Sequence, residues 1–333
     1  MIEVIVNRPS FEYDIHSLVK SFFPREDVQI HVQDTFTEDT ALRISVEFTD
    51  ETVSICLMEQ GEEKESGASV INYAERKETK NRLKRQLYQL LCAYTGQTLP
   101  WGTLTGIRPA KIAMGLIEQG MSNVETAEYM RNTYLASKEK VALSVMIANR
   151  ERYVLRNIDY KDGYSLYVGI PFCPSICLYC SFSSYPLERW RKQVDQYLDA
   201  LCKELDYVAD RFRDKKLNTV YIGGGTPTTL EPYQLDRLLT RIQSKFDTEH
   251  LQEFTVEAGR PDSITREKLQ VLLDHGIDRI SINPQTMNQK TLEIIGRRHT
   301  VDQVKEAFAL ARSMGFAHIN MDLIVGLPGE SYD

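Results

Sequence analysis

A chain of 333 residues, 42% hydrophobic and 26% charged, is long enough for about two domains with their own cores and excludes a disordered or fibrous polymer. A net charge of −7 argues against nucleic acid as the main partner, because phosphate binding normally leaves a basic footprint. The opening "MIEVIVNRPSFEYDIHSL" has no basic stretch leading into an apolar one, and no apolar span of about 18 residues follows, so the sequence predicts no signal peptide, no membrane insertion and a cytoplasmic location.

The chain begins with a strand candidate, "IEVIV", and a helix candidate over 11–23. Alternation of apolar and polar residues in "ALRISVEF" and "TVSICLM" then predicts a small antiparallel sheet. The acidic "EQGEEKESG" reads as a solvated loop. In "NYAERKETKNRLKRQLYQLLCAY", Leu83, Leu87, Leu90, Leu91 and Tyr94 recur at helical spacing, while Lys77, Lys80, Arg82, Lys84 and Arg85 take the other side. That basic side reads as a solvated helix face, with nucleic-acid binding the alternative. "LPWGTLTGIRPAKIAMGLIEQG" places turns at Gly102 and Gly106 and a helix start at Pro109. Arg108 and Lys111 there read as structural, with anion binding the alternative. Two further helices are expected in "VETAEYMRNTYL" and "SKEKVALSVMIANRERYVLRNI".

From about residue 161 the texture changes. "SLYVGIPF", "TVYIGGG", "EFTVEA", "RISINPQ" and "HINMDLIVGLP" are continuous apolar strands, each followed by helix-like sequence. That pattern requires a parallel sheet covered on both faces. The division is thus an α+β domain over 1–160, of unknown role, and an α/β domain over 161–333. Residues that carry chemistry fall at the C-terminal ends of the strands, where parallel α/β folds present their sites.

Three of the six cysteines, Cys173, Cys177 and Cys180, lie in "CPSICLYC" directly after the first of these strands. In a reducing compartment such a group is a metal or redox site rather than a disulfide framework. Structural zinc takes four ligands, and Cys202, the next cysteine, lies on a predicted helix well down the chain. An iron–sulfur cubane also normally takes four thiolates. Three would leave one iron open, and an open position makes a metal site reactive.

The C-x3-C-x2-C spacing with Tyr179 before the last cysteine resembles the radical S-adenosylmethionine (SAM) superfamily. More closely, "LYVGIPFCPSICLYCSF", "GGGTPT", "EA", "PQT", "GRRHT" and "DLIVGLPGE" resemble the oxygen-independent coproporphyrinogen III oxidase (coproporphyrinogen dehydrogenase) family. "RQLYQLL" and "LPWGTLTGIRPAKI" resemble its HemZ-like branch. The resemblance implies a partial (β/α)6 barrel, a [4Fe-4S] cluster on Cys173, Cys177 and Cys180, and SAM chelated at the open iron. Contacts to SAM are implied for Tyr167, Tyr179, Ser181, Gly224, Gly225, Thr226, Glu257, Gln285, Arg297 and Asp322. From the residues alone, the "GGG" backbone would approach a ligand and offer it amides. Asp322, set in an apolar strand, would be buried and hydrogen-bonded or ion-paired.

The implied reaction is oxidative decarboxylation of two propionates of coproporphyrinogen III to give protoporphyrinogen IX in haem biosynthesis, started by a 5′-deoxyadenosyl radical. Its partners would be the tetrapyrrole and an electron-donor protein such as a flavodoxin or ferredoxin. The alternative is a haem chaperone that retains the cluster and SAM sites. Phe182 and Gly169 stand where the best-characterised oxidases have a cysteine and a histidine, and the related chaperones share Phe182. Five strands precede the end of the sequence, so the resemblance also implies a barrel truncated after the fifth, with an open apolar edge there and a helix beginning over 330–333.

Overall fold

The structure, a computed structural model, describes residues 1–32, 40, 42–159 and 162–331. The chain forms two compact units, Met1–Arg156 and Asn157–Asp333. The boundary expected between 160 and 161 falls on two residues outside the described ones.

In the first unit, strands β1 (Ile2–Val6), β2 (Val28–Val32), β3 (Leu42–Phe48), β4 (Thr52–Glu59) and β5 (Glu62–Val70) form one sheet in the order β2-β1-β3-β4-β5. The antiparallel sheet expected from the alternating strands is corrected to a mixed one: β1 runs parallel to β2 and β3, and only β3-β4-β5 is antiparallel. Helix α1 (Glu12–Phe22) lies between β1 and β2 and supplies the crossover that a parallel pair needs. Period-two burial puts Leu42, Ile44, Val46 and Phe48 of β3, with Val53, Ile55 and Leu57 of β4, into one core. Leu83, Leu87, Leu90 and Leu91 of α2 (Arg76–Thr95) close it, at the spacing the sequence predicts. The acidic "loop" is another correction. Residues 62–70 form β5, entered through Gln60 and Gly61, whose φ values of 52° and 83° are those of a two-residue hairpin turn. Helices α3 (Pro109–Glu118), α4 (Asn123–Tyr134) and α5 (Lys138–Leu155) form a smaller cluster around Met130 and Ala148.

The second unit is α/β. Strands β6 (Gly163–Ile170), β9 (Lys216–Gly224), β10 (Glu253–Glu257), β11 (Arg279–Ser281) and β12 (His318–Asn320) are all parallel and stand in chain order across the sheet, as in the wall of a (β/α) barrel. Two short strands, β7 (Phe172–Cys173) and β8 (Tyr185–Pro186), pair outside it. Helices α6 (Leu187–Trp190), α7 (Val194–Arg211), α8 (Pro232–Lys245), α9 (Arg266–Asp274), α10 (Gln289–Ile294) and α11 (Val301–Met314) fill the connections. The core joins Val168, Ile170, Val220, Ile222, Val256 and Ile280 to Leu198, Leu235, Leu239, Leu269 and Ala311 of the helices.

The fifth strand is shorter than predicted. Only His318–Asn320 pair with β11, and Met321, Leu323 and Val325 beyond them are exposed at the sheet edge. Of the helix expected over 330–333, residues 332 and 333 lie outside the described ones, and Glu330 follows a turn at Pro328 and Gly329 and is not helical. Among the described residues, no helix is long and apolar enough to cross a membrane.

Candidate functional site

Cys173 ends β7, and Cys177 and Cys180 lie in the loop from there to β8, closed at its base by the Tyr185 amide, which donates to Pro171 O at 2.7 Å. All three are free and half-buried. Burial pushes the Cys173 thiol up, and the neighbouring Cys177 and Cys180 add to that, so the three share one electrostatic environment. Among the described residues, no three His, Cys, Asp or Glu side chains converge on a point where one metal ion would sit. In a multi-iron cluster each iron takes its own thiolate, so three cysteines on one segment supply three such ligands.

The loop is held from several sides. Ser175 Oγ donates to Gly296 O (2.8 Å) and the Leu178 amide to Ile295 O (3.0 Å). Arg260, 3% exposed, forms a bidentate pair with Asp262 (3.0 and 2.9 Å) and donates from Nη1 to Ser175 O (3.3 Å) and Oγ (3.0 Å). The same Nη1 lies 3.9 Å from Cys177 Sγ, within hydrogen-bond reach of a sulfur acceptor. Arg297 is a second clamp. Its Nη1 donates to Tyr179 OH (3.0 Å), and its Nη2 to Gly259 O (2.7 Å) and Asn283 O (2.8 Å). Burial pushes the Tyr179 phenol up to about 12, against the opposing pull of Arg297. Among the described residues Arg297 has no ion pair and its buried Nε no partner, so its position in the structure is that of a tie between the ends of β10 and β11 and the cysteine loop.

Beneath the loop passes the end of β9. A Cβ on Gly225 would lie 2.7 Å from Phe172 O, 2.9 Å from Ile170 O and 3.0 Å from Cys173 Sγ. Gly224 has φ 105°, open in practice to glycine. The expectation that this backbone offers its amides to a ligand is corrected: the Gly225 amide donates to Ile170 O (2.7 Å) and that of Thr226 to Phe172 O (2.8 Å). The glycines are there because two chain segments cross at backbone distance.

Glu257 ends β10. Its Oε1 accepts from Tyr221 OH at 2.6 Å, and Tyr167 stacks on the Tyr221 ring at 5.9 Å. Burial raises the Glu257 pKa, the Tyr221 bond opposes this, and the charge of Asp322 raises it further. Asp322 itself is exposed, which corrects the buried position expected from the apolar strand. Its carboxylate accepts from Asn320 Nδ2 (2.9 Å), and its carbonyl accepts from the Gln285 amide (3.0 Å). Gln285 holds φ 66°, a left-handed conformation rare outside glycine. Two neighbouring carboxylates, neither with a cationic partner among the described residues, suit a ligand that carries positive charge.

Of the expected residues, the structure gathers Tyr167, Glu257, Gln285 and Asp322 around the strand ends, and Cys173, Cys177, Tyr179, Thr226 and Arg297 around the loop. Ser181 is exposed and forms no hydrogen bond among the described residues.

Sequence reasoning missed three side chains. Arg260 carried a local signal, a basic residue two before an acidic one just after a strand. Ser281, the register partner of Glu257, has a buried hydroxyl without a partner among the described residues. His299 is fully buried and held neutral, its pKa lowered to about 4 by burial, with Arg297 acting in the same direction. The thiols, the two carboxylates and the unpartnered Ser281 hydroxyl together fit an iron–sulfur cluster and a cationic organic ligand beside it.

The comparisons agree with that chemistry. The chain is 42% identical over 258 residues to "Oxygen-independent coproporphyrinogen-III oxidase-like protein HemZ" of Bacillus subtilis (strain 168), covering 76% of this chain and 52% of that protein. It is 42% identical over 169 residues to "Heme chaperone HemW" of Lactococcus lactis, covering 51% and 43%. It is 34% identical over 167 residues to "Oxygen-independent coproporphyrinogen III oxidase" of Salmonella typhimurium, covering 50% and 36%. The chain therefore spans about half or less of the length of these relatives. Among solved structures, coproporphyrinogen III oxidase (HemN) from Escherichia coli aligns with 54% of this chain and 42% of its own, at 30% identity and a TM-score of 0.47. Residues 167–333 match the profile of the radical SAM superfamily, whose cofactors are a [4Fe-4S] cluster and SAM, and the chain belongs to that superfamily.

Proposed function

We propose that this chain carries the radical SAM core of a coproporphyrinogen III dehydrogenase. Cys173, Cys177 and Cys180 hold the cluster, and Arg260 braces the loop beside the Cys177 sulfur. Glu257 and Asp322 attract the cationic part of SAM, with Tyr167, Gln285 and the Ser281 hydroxyl beside them. Gly224, Gly225 and Thr226 shape the floor, and Arg297 with Tyr179 positions the loop. Cluster and SAM, when bound, supply hydrogen-atom abstraction. Each of two propionates then ends as a vinyl group, having lost carbon dioxide, one hydrogen atom and one further electron, which needs an acceptor. Reduction of the cluster calls for a donor protein of the flavodoxin or ferredoxin type.

The observation that carries the choice of substrate is the reach of the HemZ similarity. Covering 76% of the chain, it takes in part of the N-terminal unit, whereas the haem-chaperone match covers 51%. One feature favours a chaperone instead: Phe182, 69% exposed, lines a cavity of about 300 Å³ with Tyr167, Gly169 and Tyr197. Anaerobic incubation of the reconstituted protein with SAM, reductant, an electron acceptor and coproporphyrinogen III separates the two. Protoporphyrinogen, read as protoporphyrin after oxidation, supports the dehydrogenase; stable haem binding without product supports the chaperone.

Glu257→Ala and Asp322→Ala should each weaken SAM binding by about 1.5–3 kcal/mol, roughly ten- to a hundredfold, the range for hydrogen bonds to charged groups. Iron content should stay at the wild-type level. Anaerobic calorimetric titration measures the first quantity and iron analysis the second. Wild-type SAM affinity together with a large drop in melting temperature would assign these carboxylates to the fold alone.

A further inference from the structure

The N-terminal unit contains a cavity of about 500 Å³ that the proposed reaction does not use. Three of its lining lysines, Lys77, Lys80 and Lys84, fall at i, i+3 and i+7 on α2 and so share one face. Lys111 of α3 contributes a fourth. Asp14 is the one carboxylate among the lining residues. It lies 3.7 Å from Lys80 Nζ and 4.0 Å from Lys84 Nζ, so one negative charge is shared by two ammonium groups. Leu104, Ile107, Ile112, Leu116 and Tyr129 supply apolar walls.

Two observations distinguish this cavity from a solvated lysine face. Lys84 is 7% exposed, and among the described residues its remaining short contact is one bond to Thr105 Oγ1 (2.9 Å), a hydroxyl also bonded to Ser17 (2.9 Å). An ammonium has three donors, and burying one with this little compensation is costly. Burial lowers the Lys84 pKa, Asp14 opposes this and Lys80 adds to it. Beside it Asn81, 6% exposed and lining the same cavity, has a side-chain amide with no hydrogen-bond partner among the described residues. A buried cation with spare donors, an unpartnered amide and surplus positive charge meet at one apolar-walled space.

We infer that the lysine-lined cavity of the N-terminal unit binds an amphipathic small molecule carrying two or more anionic groups. Lys84 and Asn81 hold one anionic group in the depth of the cavity, Lys77, Lys80 and Lys111 meet the others near the mouth, and the apolar walls take the body of the molecule. The anionic groups are phosphates or carboxylates, and both present the oxygens that lysine donors bind. The inference does not depend on the reaction proposed for the second unit.

The test titrates the full chain at low ionic strength with ADP, a phosphate-bearing probe, by calorimetry, and with coproporphyrin III, a carboxylate-bearing one, by fluorescence. One of the two is expected to bind, and the one that does identifies the anionic group. Lys84→Met and Lys80→Ser should each weaken that binding at least about tenfold, as loss of a charge-assisted contact does. The Lys84→Met protein should melt no lower than wild type, because a buried charge gives way to an apolar chain of similar length. Should that variant fail to fold, Lys80→Ser, a half-buried position, carries the test. Absence of binding by both probes overturns the inference, as does binding that neither substitution weakens.

Discussion

Cys177→Ala, reconstituted anaerobically with iron and sulfide, should hold close to no iron, against about four irons per chain in the wild type. Two remaining thiolates leave two irons of a cubane open to solvent, and the loop offers no substitute: among the described residues no His, Asp or Glu joins the cysteines in a metal-holding group. The loss should not come from unfolding. Cys177 is half-buried, and its neighbours stay tied through Leu178 to Ile295, Ser175 to Gly296 and Arg260 to Ser175. Melting of the iron-free protein should therefore shift by no more than about 0.5 kcal/mol in stability. Cys202→Ala is the control, since that thiol is buried on α7 and should leave the iron count unchanged. A Cys177→Ala protein that kept full iron would remove Cys177 from the ligand set.

How much of this was legible beforehand follows from where each residue's partners lie. In β6, β9 and β10 one face packs on the helices, through Leu166, Val168 and Ile170, Val220 and Ile222, and Phe254 and Val256, which corrects the sheet expected to be covered on both faces. The other face carries Tyr167, Tyr221 and Thr255, and aromatic and β-branched residues on both faces keep the runs continuous in the sequence. Of the first unit's strands the sequence reading misses β2 and β5, and these are the two edges of their sheet. An edge strand has one partner and needs no apolar stripe, and β5, with a burial pattern exposed almost throughout, is charged as edges commonly are. The third misreading has a similar cause. Apolar residues after Asn320 suggest a long buried strand, yet the ladder with β11 ends after three residues, Leu323 makes a single bridge to Gln285, and Asp322 comes out exposed.

The same logic divides the site. Cysteine spacing is local and was readable. The roles of Arg260 and Arg297 were not, because their partners Ser175 and Tyr179 lie 85 and 118 residues away in the chain. Arg297 is expected to touch the ligand, and the structure adds its three bonds to Tyr179, Gly259 and Asn283. A charged residue in a loop reads as solvated or catalytic from the sequence, and only the fold shows it working as a clamp. The glycines at the end of β9 are a parallel case. Their pattern was visible, but the sequence could not distinguish a backbone that approaches a ligand from one that approaches another strand.

That distinction makes Gly225→Ala the most informative change outside the thiols. Its Cβ would sit 2.7 and 2.9 Å from two carbonyl oxygens and 3.0 Å from Cys173 Sγ. Neither carbonyl moves freely, since Ile170 O accepts from the Gly225 amide and Phe172 O from that of Thr226. Relief has to come from displacing β7, which carries Cys173. Overpacking of this kind costs about 1–3 kcal/mol, and here the displaced element is the root of the cysteine loop. The variant should melt lower than wild type and take up less iron although all three thiols remain. Gly169→Ala serves as the comparison: its Cβ would meet only the Tyr167 ring, at an ordinary 3.7 Å, so stability and iron should both hold. Full iron and an unchanged melting temperature in Gly225→Ala would mean that the loop is not seated on the end of β9 and that its position is set elsewhere, by Arg260 and Arg297.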